Sequence, residues 1–114
     1  MMGPFNFLFA EPYENRKVKR YEDPGRLIVS TCRVNDSEFK YETAVAHKKY
    51  GGGKCIVVQN YNIRKQTISG HDSWVKRMTS DKLPDFLADI SGAQIKRLAE
   101  AAGARFTYKR RNSR

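Results

Sequence analysis

The sequence predicts an α+β domain: a three-stranded antiparallel sheet with two helices packed on one face, an extended N-terminal arm and a basic C-terminal tail. Three observations carry that expectation. Two β-rich runs flank a glycine loop in YETAVAHKKYGGGKCIVVQNY, an apolar stripe at helical spacing follows in IRKQTISGHDSWVKRMT, and a capping box opens a second helical stripe near the end. The expected division is an arm over 1–25, the α+β domain over 26–104 and the tail over 105–114.

The arm begins MMGPFNFLFAEPY. Phe5, Phe7, Leu8, Phe9 and Tyr13 crowd between Pro4 and Pro12 or just beyond, where prolines discourage both helix and central strand. Such an apolar segment either folds back over its own domain or meets a partner. Arg16, Lys17, Lys19 and Arg20 then form a basic cluster, read as a solvated linker or as a contact for phosphate or an acidic neighbour. Glu22, Asp23, Pro24 and Gly25 make a turn.

Residues 26–34, RLIVSTCRV, are β-branched and apolar without a breaker, which predicts the first strand. Asn35 and Asp36 suit a turn, and Ser37 to His47 returns as the second strand, alternating over YETAV. Gly51 to Gly53 exclude a strand interior and predict a hairpin loop; Cys55 to Tyr61 is the third strand, apolar enough for burial on both faces. Asn62 is placed to cap the following helix. Ile68, His71, Val75 and Met78 share one helical face, with Trp74 beside them, so Trp74 and Val75 are expected to dock on Val57 and Val45. Pro84 bars a regular helix through DKLPDFLAD, whose Leu83, Phe86, Leu87 and Ile90 are expected to pack over the core edge. Ser91 and Gln94 form the capping box of a second helix that Gly103 ends.

YETAV, the His47 loop with its glycines, IVVQNY and GHDSWVKRMT together resemble a family of small tailed-bacteriophage proteins without an assigned activity. That family has a Tyr-Glu-Thr strand, a second strand ending in Tyr, and a helix bearing Gly-His and Trp-Val. The likeness runs from Tyr41 to Thr79, about a third of the chain. Relatives often have a helix rich in Glu and Ala, whereas this one is basic in IRKQTISGH. The resemblance implies phage origin and supplies no catalytic residues.

The 114 residues suffice for one modest core. A charged fraction of 30% and a mean hydropathy of −0.71 leave large wet or partner-facing surfaces. The net charge is +10, and half of it falls in residues 105–114, with Arg105, Lys109, Arg110, Arg111 and Arg114 around Phe106 and Tyr108. Basic residues interleaved with aromatics suit single-stranded nucleic acid, and FTYKR equally suits a short edge strand. Cys32 and Cys55 read as two buried reduced thiols. Two cysteines and two distant histidines lack zinc-site spacing. A Cys55–His47 pair across the hairpin has no orienting third group, His71 reads as a core histidine, and the triple glycine lacks the Gly-Lys-Ser/Thr ending of a phosphate loop. No apolar run nears the roughly 20 residues that span a bilayer, and the N-terminus lacks a signal peptide's basic start.

These observations point to a non-enzymatic protein without a cofactor. The leading expectation is a structural part of a bacteriophage virion, in the capsid, as a decoration, or at the head–tail connector or tail. It would be made in the host cytoplasm and contact other virion proteins in a symmetric assembly through its arm and tail. The alternative is a small basic phage protein that binds nucleic acid or regulates, including against host defence.

Overall fold

A computed structural model describes residues 16–34, 39–90 and 107–111. The architecture is α+β, with a four-stranded antiparallel sheet in the order β1-β2-β3-β4. The strands are β1 (Lys17–Asp23), β2 (Leu27–Arg33), β3 (Tyr41–His47) and β4 (Cys55–Tyr61). One helix, α1 (Arg64–Thr79), lies over the sheet, and a two-stranded ribbon, β5 (Phe86–Ala88) with β6 (Thr107–Lys109), stands beside it. Phe5, Phe7, Leu8, Phe9, Tyr13, Arg105, Arg114 and the expected second helix after Ser91 lie outside the described residues.

The sheet has four strands rather than the expected three, because part of the expected arm is its edge strand. Arg20 pairs with Ser30, Tyr21 with Val29 and Asp23 with Leu27. The expected turn is the hairpin that makes this pairing: Arg26 N–H donates to the Asp23 carbonyl at 3.0 Å, and Gly25 adopts φ 75°. Proline followed by glycine with positive φ is the pattern of a type II turn. The basic cluster hid the strand, since charged side chains are common on an edge strand.

The helix-facing side of the sheet carries Leu27, Val29 and Thr31 from β2, Thr43, Val45 and His47 from β3, and Ile56 from β4, all buried. Met78 from α1, Tyr50 from the β3–β4 loop and Leu87 from β5 close the core around Val29, Val45 and Ile56. The β3–β4 register shifts between Thr43 and Ala44, so Val45 faces Ile56 while Val57 faces Ala44. That bulge reverses the parity of the apolar run. Ile56, and not Val57, is therefore the β4 residue beneath the helix.

The helix also departs from expectation. Its N-cap is Ile63, with no side-chain cap bond, so Asn62 does not cap it. Its buried residues are Thr67, His71 and Met78, whereas Ile68 is 41% exposed. Trp74 is half-buried and donates Nε1–H to Gln59 Oε1 at 2.8 Å, with the Arg77 guanidinium 4.5 Å from its ring centroid. It closes the helix–β4 seam instead of filling the core.

Candidate functional site

Two places in the molecule gather polar chemistry, and they lie at opposite ends of the sheet. At the end where β4 enters α1, Thr31 Oγ1 lies 2.6 Å from Thr43 Oγ1 and 2.8 Å from His71 Nδ1. Thr43 Oγ1 is 3.0 Å from the Tyr61 hydroxyl. The proton chain can run one way throughout, Tyr61 to Thr43 to Thr31 to His71, leaving the imidazole neutral with Nδ1 accepting. Burial holds His71 below the usual histidine range, and Lys19 adds to the depression while Asp72 opposes it. Gly70 lets α1 approach: a Cβ there would lie 2.5 Å from Tyr61 Cε1 and 2.6 Å from Cζ, closer than any real contact. Beside this seam lies an open cleft of about 420 Å³, lined by Gln59, Asn60, Gln66, Ser69 and Ser73.

The opposite end is built from the β3–β4 loop and the β5/β6 ribbon. The loop turns through Gly51, Gly52 and Gly53 at φ 57°, 68° and 94°, a left-handed path that suits glycine. At Gly51 a side chain would also press on the Tyr108 ring, 3.1 Å from Cδ1. The C-terminal segment is bound to this loop. Arg111 N–H donates to the Lys49 carbonyl at 2.7 Å, and Arg110 N–H to the Asp85 carbonyl at 2.7 Å. Lys54 Nζ donates to the Tyr108 hydroxyl at 2.8 Å, which raises the ammonium's pKa. The FTYKR stretch thus contributes a ribbon strand, while Arg110 reaches back to the Leu83 carbonyl at 2.8 Å and to Asp85 at 3.5 Å.

The sequence-identified cations divide. Lys19 meets Asp72 at 2.6 Å, Arg20 meets Glu22 at 2.9 Å, and Arg16 donates to the Arg33 carbonyl at 3.4 Å. Lys17 lies in β1. Lys109 and Arg111 are exposed at the ribbon end, and Lys48 and Lys49 lie in the neighbouring β3–β4 loop. The side chains of Lys48, Lys49, Lys109 and Arg111 have no partner among the described residues. The signal for Lys48 and Lys49 was their place before the glycines, on a rigid hairpin.

Beneath them sits His47, 2% exposed. Its Nδ1 accepts from Lys49 N–H at 3.0 Å, so Nε2 carries the proton, and Nε2 has no partner among the described residues. Burial depresses its pKa, helped by Arg26, Lys49 and Lys48. Cys55 pairs with Ala46, one position away, so strand alternation puts its thiol on the far face from His47 and no Cys–His pair forms. Both cysteines are free, but Cys55 is exposed and Cys32 half-buried, where the sequence suggested burial for both. Among the described residues no three His, Cys, Asp or Glu side chains gather as metal ligands would, and no helix is long and apolar enough to cross a membrane.

Searches of protein-family models, curated proteins and solved structures return no match to this chain.

Proposed function

We propose that this chain is a non-enzymatic binding protein that holds a polyanion, nucleic-acid phosphate foremost, at the end formed by the β3–β4 loop and the β5/β6 ribbon. The observation that carries the reading is that Lys48 and Lys49 of the loop and Lys109 and Arg111 of the adjoining segment carry no ion-pair partner among the described residues. The Arg111–Lys49 backbone bond joins the two segments. An excess of cations on one end raises local anion concentration and steers association. Binding of a labelled oligonucleotide should weaken steeply with salt, with a slope of log K against log salt of roughly −3 for four phosphates on a single strand. Lys48→Glu with Lys109→Glu should flatten that slope and lower affinity by roughly a hundredfold. Salt-independent binding, or no binding at low salt, would sink the proposal.

A second reading, assembly into a bacteriophage particle, has its own motivation. Five large apolar side chains, Phe5, Phe7, Leu8, Phe9 and Tyr13, precede β1. The sheet face away from α1 presents Ile28, Ala44 and Ala46, all half-exposed. Burying one large apolar side chain is worth roughly 1.5–3 kcal/mol, enough for several to order a segment against a neighbouring subunit. Sedimentation of the full chain against a version lacking residues 1–13 tests it: the full chain should associate and the shortened one should be a folded monomer. A monomeric full chain that unfolds on shortening would refute this reading.

A further inference from the structure

The β5/β6 ribbon has a dry face and a wet face, and one residue is on the wrong side. Leu87 is 2% exposed and pairs with Tyr108, half-buried against the core; these two form the dry face. Phe86 pairs with Lys109 and Ala88 with Thr107 on the other face, and all four are exposed. Alternation explains Lys109 and Thr107 in water. It does not explain Phe86, whose ring is 59% exposed, more than any other large apolar side chain among the described residues. The residues two positions along the ribbon are small, so nothing tall stands beside the ring on that side. Directly cross-strand, within the roughly 5 Å between paired Cβ atoms, is Lys109, a cation with no partner among the described residues.

We infer that this ribbon face is a stacking platform for single-stranded nucleic acid, with Phe86 taking a base and Lys109, its cross-strand neighbour, taking a flanking phosphate. The inference rests on the polyanion reading and adds the substrate class. An aromatic ring beside a basic track is what sequence-tolerant single-strand binding requires, since every base has a π-face to offer. A duplex keeps those faces inside its own stack, so the ring adds nothing to duplex binding. Tyr108, the aromatic that the tail's composition put forward, cannot serve, because it is turned inward against Gly51 and beneath Lys54, 5.2 Å from its ring centroid. The apolar neighbour one would otherwise assign to Phe86, another protein surface, does not account for the cation directly across the ribbon from it.

The test uses the full chain and three probes: a fluorescein-labelled oligothymidylate of about 15 nucleotides, within known site sizes, a duplex of the same length, and inorganic polyphosphate as competitor. The single strand should bind about tenfold or more tighter than the duplex. Phe86→Ala should weaken single-strand binding on the order of tenfold, as loss of one stacked base does, without changing its salt slope or the polyphosphate competition. Phe86→Tyr should keep the parent affinity, and Lys109→Glu should weaken all three probes. If Phe86→Ala leaves single-strand binding unchanged, or the duplex binds as tightly as the single strand, the platform is refuted while the polyanion reading stands. If the parent binds none of the probes, both fall.

Discussion

The two ends of the sheet each bury one histidine, and they treat it oppositely. His71 lies in a seam whose other members, Thr31, Thr43 and Tyr61, are 0–4% exposed, and its Nδ1 is met by Thr31. His47 is as deeply buried, yet among the described residues its Nε2–H has no partner, and the nearby cations Lys48 and Lys49 have no ion-pair partner among them either. A buried polar atom without a partner loses on the order of 1–3 kcal/mol relative to a bonded one. The first end spends its polar groups on each other and has the character of architecture. The second leaves both a buried donor and surface charges unmatched, which is the character of a place that meets something else.

The largest effect that could break this contrast is at Gly70. Gly70→Ala gains about 1 kcal/mol of helix propensity. The added Cβ would overlap the Tyr61 ring, and overpacking of this kind costs about 1–3 kcal/mol or more, while displacing Tyr61 also opens its bond to Thr43. The clash wins, and a net loss of about 2 kcal/mol should appear in denaturant unfolding. Adding Tyr61→Phe should not rescue it, because ring carbons lie as close as 2.5 Å to the new methyl. Rescue by Tyr61→Phe would mean the hydroxyl alone sets the helix distance.

Next in size is the seam itself. Thr31→Val is nearly isosteric but removes the hydroxyl between Thr43 and His71. It should destabilise by about 1–3 kcal/mol, and the double variant with Thr43→Val should lose less than the sum of the singles, since both act on one chain of bonds. Strict additivity in that cycle would show the hydroxyls to be independent.

Both ends should respond to acid in the same direction. Each histidine has a folded pKa below the ordinary 6.5, mainly through burial. Above that value both folded and unfolded states are neutral and nothing is lost. As pH falls below 6.5, the unfolded state takes protons that the folded state refuses, so stability falls until the folded pKa values are reached. Unfolding midpoints should drop between about pH 7 and pH 5, and His71→Asn should flatten part of that drop. A midpoint that rises on acidification would contradict neutral burial of both rings.

Part of this architecture is legible in the sequence. The strands at Tyr41–His47 and Cys55–Tyr61, the glycine loop and the core histidine follow from alternation, positive-φ tolerance and helical spacing. Three things could not be read. A β-bulge is a property of a strand pair, so the exchange of Val57 for Ile56 beneath α1 has no local signal. The edge strand β1 looks like a charged linker until β2 lies beside it. Phe86 and Leu87 are neighbours of equal hydrophobicity, and only the pairing with β6, about twenty residues on, decides which is buried.

The smallest effect separates the two basic clusters, which look alike as sequence. Lys19 is paired with Asp72 across the sheet–helix boundary, with both side chains about half exposed. Lys109 has no such partner among the described residues. An exposed ion pair is worth about 0.2–1 kcal/mol, screened further by salt. Lys19→Ala should therefore lower stability by no more than that, and less at high salt, while leaving oligonucleotide affinity near the parent's. Lys109→Ala should do the reverse, with unchanged stability and a salt slope shallower by about 0.7, the share of one single-strand phosphate. Two measurements on two variants decide it. If Lys19→Ala costs as much affinity as Lys109→Ala, the internal ion pair does not withdraw its charge from the partner, and the basic surface extends along β1 instead of ending at the ribbon.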